Sequence, residues 1–505
     1  MDRKSIVRVS GIIGLLSQVV ITVLSFVNRK IFLEIMGVEY LGITSTLSQI
    51  LGMLALSEMG IQTVITYRLF KPIIENDYVS VNRIMTIYKR MYKYIALFIS
   101  CASLLVTPFL GVFLKGITVP YYMIVIIWLL MSASTATTYL MSYNRALFMA
   151  DQKEYKIKLI DLICNLFFSM VKIAIVVLYR NIILYILVDI ANNVVSNTLI
   201  LLTRKKIYPW FHKEKPVNEL KKNVFIDIKN IFSGRIAAYV FNSTDSIVVS
   251  SVIGASSVSI MGNYTTITVA IKSLLGAIAS PIQNIIGSYL AEKKSKNAEK
   301  IFLNYTFIIF VIEMFFLLPA IILVDDFVAL FYGSEYTLNA SFIWLLIASE
   351  YISVIQIPAG AMVDSFGLFA EQKKFLFTSA IINIVFSILG AYAIGISGVL
   401  VGTFIGNVYN WVMRTRLVYK KVIGVDASVG KEYKSRNFKY ILIFCGLYFV
   451  LNWFFSRIIT DVTPLSFVFK GLITVLAVLF LIVFIFGKTE EFSYLWSIIF
   501  RKSRG

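Results

Sequence analysis

Residues Phe225–Glu292 read FIDIKNIFSGRIAAYVFNSTDSIVVSSVIGASSVSIMGNYTTITVAIKSLLGAIASPIQNIIGSYLAE, two long apolar segments in succession. Arg235, Asp245 and Lys272 lie within these segments, at positions that would be deep in a lipid bilayer. A charged side chain that faces hydrocarbon at such a depth costs several kcal/mol, so charged residues there usually face a protein interior or water. We therefore expect the three side chains to line a water-filled cavity between two halves of the protein.

The composition of the chain is that of a membrane protein. Of its 505 residues, 58% are hydrophobic and only 15% are charged, and the mean hydropathy is +0.80. Soluble domains carry about 25% charged residues. The three cysteines lie in apolar runs, and the single histidine, His212, lies in a basic connecting segment, so we expect no metal site, no cofactor and no His-based catalytic triad. The sequence predicts an all-α polytopic membrane protein.

The distribution of Lys and Arg explains most of the net charge of +20. In a soluble protein this charge would suggest binding to nucleic acid. Here the basic residues cluster between alternate apolar segments, which is the pattern of loops that stay on the cytoplasmic side of a membrane. We therefore expect no nucleic-acid partner, a location in the cell membrane, and both termini in the cytoplasm.

Apolar runs that are long enough to cross a bilayer occur about 14 times. A hydrocarbon core near 30 Å requires about 20 apolar residues per helix. An even number of spans agrees with two cytoplasmic termini. The predicted spans are 9–36, 41–67, 94–115, 119–143, 157–180, 182–203, 224–253, 257–291, 301–325, 340–363, 374–394, 396–419, 438–460 and 464–487.

Two basic segments outside the spans have an amphipathic pattern. In Glu75–Lys93, one helical face is basic and the opposite face carries Val81, Ile84, Met85, Tyr88 and Tyr92. The tail Glu491–Arg504 has the same character. This pattern suits a short helix that lies at the level of the lipid headgroups. We predict that both segments are interfacial helices that act as basic juxtamembrane anchors.

Two short motifs recur in the same order in the two halves of the chain. Gly42–Leu47 (GITSTL) matches Gly262–Ile267 (GNYTTI), and Ile61–Ile65 (IQTVI) matches Ile282–Ile286 (IQNII). The matches fall on the second and the eighth predicted spans, so they predict a six-helix unit that is used twice, with two additional helices at the end. Duplicated bundles place the substrate path at the interface between the halves. The predicted divisions are an N-lobe at 1–222, a C-lobe at 223–423, and the last two spans with a cytoplasmic tail at 424–505.

Positive residues within the spans are the candidates for binding an anionic substrate. Arg29 and Lys30 lie toward the outer end of the first span, where positive residues are otherwise scarce. They could extend to the outer headgroups, and Glu34 is placed to pair with one of them at i+4 or i+5. We expect Arg29 to face the cavity, with Arg235, Lys272 and Lys30 as the rest of its cationic lining.

Other polar residues within the spans form a second group of candidates. Glu58 and Gln62 lie one helical turn apart on the second span, and Gln283 is at the pseudo-equivalent position on the eighth. These residues fit either a tie between helices or the lining of a cavity, and Asp245 fits an ion pair with a cation on another helix. The candidates for a polar cavity lining or for ion coupling are Asp245, Glu58, Gln62, Gln283, Glu313 and Glu350.

Several runs of residues resemble those of a known transporter family. They are Asn28–Gly42 (NRKIFLEIMGVEYLG), Leu56–Ile61 (LSEMGI), Tyr67–Pro72 (YRLFKP) and Asn242–Ser246 (NSTDS). Together with the number of spans, they resemble the Wzx-like polysaccharide flippases, which move O-antigen or capsule repeat units and belong to the multidrug/oligosaccharidyl-lipid/polysaccharide (MOP) superfamily. The resemblance implies two six-helix lobes that enclose a cationic cavity, which Arg29, Arg235 and Lys272 would line.

The resemblance also implies a substrate and partners. The substrate is an undecaprenyl-pyrophosphate-linked oligosaccharide, moved from the inner to the outer leaflet by alternating access. The partners are membrane lipids, the lipid-linked glycan, and a polysaccharide polymerase with its chain-length machinery. No Walker A motif is present in the sequence, so we expect no ATP hydrolysis and no enzymatic activity. Coupling to a gradient of H⁺ or Na⁺ is the expected source of energy.

Two other functions remain open at this point. A cation-coupled multidrug exporter of the same superfamily would favour acidic groups in its cavity, whereas bases are at least as prominent here. A membrane polysaccharide polymerase or glycosyltransferase has a similar number of spans. Such enzymes need a sizeable extracytoplasmic loop for their chemistry, and every predicted outer connector is short.

Overall fold

The structure is a computed structural model that describes residues 3–55, 61–151, 153–215, 224, 241, 243–292, 298–366, 368–424, 430–459 and 461–493. The chain forms two compact units, Met1–Ser259 and Ile260–Gly505. The three divisions expected at 1–222, 223–423 and 424–505 stay a prediction.

The first unit is built from long helices. They are α1 (Arg3–Leu54), α2 (Ile61–Ile74), α3 (Tyr78–Val106), α4 (Tyr121–Ser142), α5 (Glu154–Tyr179) and α6 (Ile182–Ile207). α1 is two helices in succession, because Gly37 between them has φ +86° and ψ +166°. Side chains with a Cβ rarely adopt a positive φ, so a glycine at this position allows the chain to turn between the first and second predicted spans.

The second unit contains most of α7, which begins at Ala255, and all of the later helices. They are α7 (Ala255–Glu292), α8 (Ala298–Phe331), α9 (Ala340–Ile355), α10 (Ile357–Ser365), α11 (Phe369–Ile394), α12 (Ile396–Val418), α13 (Lys431–Ile458) and α14 (Pro464–Phe486). The residues at which helices begin are set by capping side chains and by proline. At α14, for example, Thr463 and Ser466 form a reciprocal capping box and Pro464 takes the first helical position.

The helices of the structure agree with ten of the predicted membrane spans. The described residues contain 14 helices of seven or more residues, and ten of the described helical segments are long and apolar enough to cross a membrane. These ten correspond to predicted spans three to six and nine to fourteen. Of the other four predicted spans, the second and the seventh include residues outside the described ranges, and the first and the eighth include side chains that are not described. The prediction of an all-α polytopic membrane protein is confirmed.

The prediction that Glu75–Lys93 forms a short interfacial helix is wrong. α3 begins after the N-cap Asp77 and continues without a break to Val106, so the amphipathic segment is continuous with the third predicted span and is not a separate short helix. Its apolar face packs into the protein core rather than against lipid, and the side chains concerned are at most 4% exposed: Val81, Ile84, Met85, Tyr88 and Tyr92. An amphipathic pattern identifies an apolar face but not what covers it. The tail Glu491–Arg504 lies mostly outside the described residues.

The closest helix packing that we find in the second unit joins α11 and α12. These helices are connected by Gly395 alone, which has φ +66°. A Cβ atom on Gly398 would lie 1.8 Å from the carbonyl oxygen of Gly390, so the two backbones are in direct contact. The Ser387 hydroxyl donates to the Val399 carbonyl over 2.8 Å across the same interface. Small residues permit this approach, as is common between membrane helices.

We expect Gly398→Leu to lower the free energy of unfolding by about 2 kcal/mol, because the added side chain must push α11 and α12 apart. Gly446→Leu on α13 is the matched control, since no atom lies within 4 Å of a Cβ at that position. Thermal unfolding of both variants in detergent would measure the effect. Equal melting temperatures for the two variants would contradict the packing described here.

Candidate functional site

A polar cavity of about 340 Å³ lies inside the first unit, between α1, α5 and α6. Helical spacing brings its polar residues together, because residues three or four positions apart share one helical face. Among the described residues that line the cavity, two are cations and none is a carboxylate. Its polar lining consists of Ser25, Asn28, Arg29, Asn165, Ser169, Lys172 and Tyr185.

Arg29 enters this cavity from α1. Its side chain is half-buried, and Nη2 donates a hydrogen bond of 2.8 Å to the carbonyl oxygen of Ser259. The Ser259 hydroxyl in turn donates to the Val38 carbonyl over 2.7 Å, next to the turn at Gly37. A guanidinium has five N–H donors in a planar arrangement, which matches the oxygens of a phosphate. The expected role of Arg29 in a cationic cavity between two halves stays a prediction.

Lys172 enters the same cavity from α5. It forms an ion pair with Asp189 on α6, and its Nζ lies 4.7 Å from the centroid of the Tyr185 ring. Asp189 lines a second cavity of about 330 Å³, together with Ser134 and Asn193. The ion pair therefore has its cation in one cavity and its carboxylate in the other.

Carboxamides extend the polar surface around this ion pair. Asn192 Nδ2 donates to Asn165 Oδ1 over 2.9 Å, and Asn193 Nδ2 donates to the Ser134 hydroxyl over 2.9 Å. Carboxamides and hydroxyl groups can both donate and accept hydrogen bonds, as sugar hydroxyl groups also do. The first unit thus combines basic groups suited to an anion with neutral groups suited to a polar, uncharged ligand.

The predicted residues of the first unit lie in different surroundings. Lys30 pairs with Glu34 over 3.8 Å at the spacing i+4, as the sequence predicted for one of the two adjacent bases. Gln62 donates to the Met149 sulfur over 2.9 Å, which ties α2 to the short helix Arg145–Ala150. Asp245 is half-buried in the helical segment Ser243–Ile253.

Three of the predicted site residues have side chains outside the described part of the structure. Arg235 and Glu58 lie outside the described residues. Gln283 belongs to α7, but its side chain is outside the described part of the structure. The roles assigned to these three residues stay predictions.

In the second unit, two predicted residues are partners of each other. Lys272 Nζ on α7 lies 2.6 Å from Glu350 Oε2 on α9, and the Glu350 side chain is only 12% exposed. Glu350 also lines a small cavity of about 20 Å³, enough space for about one water molecule. The sequence predicted a cationic lining role for Lys272 and a coupling role for Glu350, and the structure brings the two groups into one ion pair.

Glu313 lies in a different environment, buried within α8. Its side chain is fully buried, and neither carboxylate oxygen has a hydrogen-bond partner among the described residues. Burial of an ionised carboxylate without a partner is very costly, so such a group is tolerated as the neutral acid. The role of Glu313 in ion coupling stays a prediction.

Comparison with known proteins identifies the fold. No model of a known protein family and no curated protein matches the sequence. An inward-facing multidrug resistance MATE family transporter of the MOP superfamily superposes with a TM-score of 0.65 at 15% identity, covering 82% of this chain and 98% of that one. The lipid II flippase MurJ, in an inward closed conformation, gives 0.64 at 14% identity, covering 94% and 98%. The fold is that of the MOP transporters.

A third structure with a similar fold is described by the polarity of its binding pocket. It is a MOP superfamily transporter from Pyrococcus furiosus, described as having a binding pocket of reverse polarity that suggests a different function. Its TM-score is 0.54 at 14% identity, and the match covers 81% of this chain and 94% of that one. The structures that share the MOP fold are membrane transporters, and this chain is likewise a multi-pass membrane protein.

Sequence reasoning gave no role to several residues that the MOP fold brings together. Lys172 and Asp189 are ionisable residues within predicted spans, and this was the available signal. The sequence does not show that α5 and α6 pack beside α1, so the partnership of Lys172 with Asp189 and its proximity to Arg29 could not be predicted. Asn165 and Tyr185 were missed for the same reason.

Proposed function

We propose that the protein is a flippase for undecaprenyl-pyrophosphate-linked polysaccharide repeat units, as in the Wzx-like transporters. It moves these lipids from the inner to the outer leaflet of the cell membrane by alternating access, with both termini in the cytoplasm. The observation that supports this most directly is the cavity of the first unit, which Arg29 and Lys172 line together with carboxamide and hydroxyl groups.

The chemistry of the cavity matches the part of this substrate that cannot cross a bilayer unaided. A pyrophosphate is highly charged and its sugars are rich in hydroxyl groups, so both lose strong hydration on entering hydrocarbon. Guanidinium and ammonium groups replace the hydration of the phosphates through charge-assisted hydrogen bonds. Asn28, Asn165 and Ser169 offer donors and acceptors for sugar hydroxyl groups. The polyprenyl tail stays in the lipid throughout.

The comparisons support a lipid-linked substrate at the level of the fold. MurJ, which has this fold, is a lipid II flippase. The description of the Pyrococcus furiosus transporter connects the polarity of the pocket with a difference in function. The charge of the cavity lining is therefore the feature on which the choice of an anionic substrate rests.

A cation-coupled multidrug exporter is the second candidate. The MATE transporter and MurJ superpose almost equally well, with TM-scores of 0.65 and 0.64. The observation that favours an exporter is the second cavity of the first unit, where Asp189 and Asn193 offer a carboxylate and an amide that suit an organic cation. Lys172 neutralises this carboxylate, which weakens the case for a cationic ligand. The same pair neutralises the Lys172 ammonium, so the case for an anionic ligand rests mainly on Arg29.

Translocation in proteoliposomes tests the two candidates against each other. We expect the purified protein to move a fluorescent polyprenyl-pyrophosphate-linked oligosaccharide to the opposite leaflet, detected by an impermeant quencher, and to leave the distribution of a cationic dye unchanged. Protein-free liposomes are the control. Dye transport without lipid translocation would favour the exporter and would exclude the flippase. Translocation that continues undiminished after the H⁺ and Na⁺ gradients are collapsed would exclude the proposed coupling through Glu313 or Glu350.

A further inference from the structure

A third cavity of the first unit combines six basic side chains with an apolar lining. It has a volume of about 720 Å³ and lies between α3, the end of α4 and the segment 208–215, which follows α6. It is separate from the cavity that contains Arg29 and shares no lining residue with it. The basic residues that line it are Lys89, Arg90, Lys93, Arg204, Lys213 and Lys215.

The wall formed by the segment 208–215 is held firmly against α3. Asn82, which is fully buried, accepts a hydrogen bond from the backbone N–H of His212 over 3.3 Å. Thr86 accepts one from the backbone N–H of Glu214 over 3.3 Å. The Trp210 ring stacks on Tyr78 with a centroid distance of 4.2 Å. These contacts give the cavity a defined shape rather than that of an open surface loop.

Arg204 lies deepest among the basic residues of this cavity. It is only 8% exposed, its Nη1 donates to Asn144 Oδ1 over 2.7 Å, and its guanidinium lies 4.2 Å from the Phe211 ring centroid. Among the described residues, none accepts a hydrogen bond from its Nε. A buried donor without an acceptor is costly, so an anion in the cavity would stabilise this arrangement.

The remaining charges also favour an anion. Glu214 is the one carboxylate among the described lining residues, and it accepts a hydrogen bond of 2.9 Å from His212 Nε2. The pKa of His212 is raised above its ordinary value, first because the ring bonds to the Trp210 carbonyl and then because it bonds to Glu214. The carboxylate is thereby engaged locally and leaves the lysine and arginine side chains to attract a negative ligand.

The apolar lining indicates that this ligand is a lipid. Met91, Tyr94 and Leu140 line the cavity beside the bases. Tyr94 is 60% exposed, and the exposed apolar surface continues along α3 to Leu97 and Phe98. On a membrane protein, such a surface contacts hydrocarbon chains. A ligand that uses both features carries a phosphate on one end and an acyl chain on the other.

We propose that this cavity binds the phosphate headgroup of an anionic membrane phospholipid, whose acyl chains lie along the exposed apolar face of α3. Arg204 and Lys89 contact the phosphate, and Arg90 and Lys93 neutralise the remaining charge. The lipid is a resident of the site and is distinct from the transported substrate, so the inference goes beyond the proposed function. Basic clusters at a membrane surface bind anionic lipids in this manner.

Binding of a spin-labelled phosphatidylglycerol to the protein in phosphatidylcholine bilayers tests this proposal. We expect the triple variant Lys89→Gln/Arg90→Gln/Lys93→Gln to bind at least about tenfold more weakly than the parent. The matched control Lys420→Gln/Lys421→Gln/Lys434→Gln removes three exposed lysines of the second unit that do not line the cavity, so it should weaken binding clearly less than the first triple variant does. Arg204→Lys, which keeps the charge but lacks Nε, tests the buried donor and should also weaken binding.

The outcomes are distinguishable. Equal weakening in the two triple variants would overturn the proposal, because net charge alone would then explain binding. Displacement of the labelled lipid by inorganic phosphate at millimolar concentration would also overturn it, because a lipid held by its chains as well as its headgroup should resist a free ion. An unchanged melting temperature of the triple variant in phosphatidylcholine alone shows that a loss of binding does not reflect unfolding.

Discussion

Arg29→Gln is expected to slow translocation of the pyrophosphate-linked oligosaccharide by at least about tenfold. A hydrogen bond to a charged group contributes about 1.5–3 kcal/mol, and each 1.4 kcal/mol corresponds to a factor of ten. Arg29 lines the polar cavity of the first unit, where its guanidinium can donate several such bonds to one phosphate group. Initial rates in proteoliposomes, normalised to the amount of inserted protein, would measure the effect.

Two further variants separate substrate binding from folding. Arg29→Lys keeps the positive charge but cannot donate a bidentate pair, so it should recover part of the rate. Arg457→Gln is the matched control, because Arg457 is exposed at the end of α13. It should leave the rate within about twofold of the parent, since an exposed charge of this kind contributes little. A parental rate for Arg29→Gln would remove the main support for an anionic substrate.

The second large effect is expected at the ion pair that fastens α14 to α8. Lys470 Nζ lies 2.6 Å from Asp326 Oδ2, and the two side chains are only 12% and 11% exposed. The neighbouring Asp325 accepts a hydrogen bond of 2.6 Å from the Tyr264 hydroxyl on α7. The adjacent carboxylates of Asp325 and Asp326 on α8 therefore bind side chains of two different helices, α7 and α14.

We expect Asp326→Leu to lower the free energy of unfolding by about 3 kcal/mol, because it leaves the Lys470 ammonium buried without its partner. The double variant Asp326→Leu/Lys470→Met should recover most of this loss, since replacement of both charges by apolar groups is often neutral. Thermal unfolding in detergent, analysed as a double-mutant cycle, gives the coupling energy between the two residues.

Glu490→Leu is the control for this cycle. Glu490 and Lys300 form an ion pair of nearly equal length, 2.7 Å, but their side chains are 81% and 64% exposed. Removal of an exposed pair costs about 0–1 kcal/mol. A double variant at Asp326 and Lys470 that is as unstable as Asp326→Leu would show that the ion pair does not explain how α14 is held.

The membrane spans and the contacts within one helix could be predicted from the sequence alone, because they follow from the thickness of the bilayer and the geometry of the α-helix. A membrane thickness near 30 Å requires apolar runs of about 20 residues. This is why ten predicted spans correspond to α3 to α6, α8, α9 together with α10, and α11 to α14. The 3.6-residue period of a helix places residues four apart on one face, and Lys30 and Glu34 form their predicted pair for that reason. Charges within the spans could also be recognised as exceptional, Lys272 and Glu350 among them.

The partners of these charges depend on helix packing, about which hydrophobicity carries no information. Lys272 and Glu350 lie on α7 and α9, and Lys172 and Asp189 on α5 and α6, so each pair forms only after two helices pack together. The apolar face of Glu75–Lys93 has the same pattern whether protein or lipid covers it. Side-chain periodicity reports that a face avoids water, whereas the identity of the group that covers it is set by the tertiary arrangement of the helices.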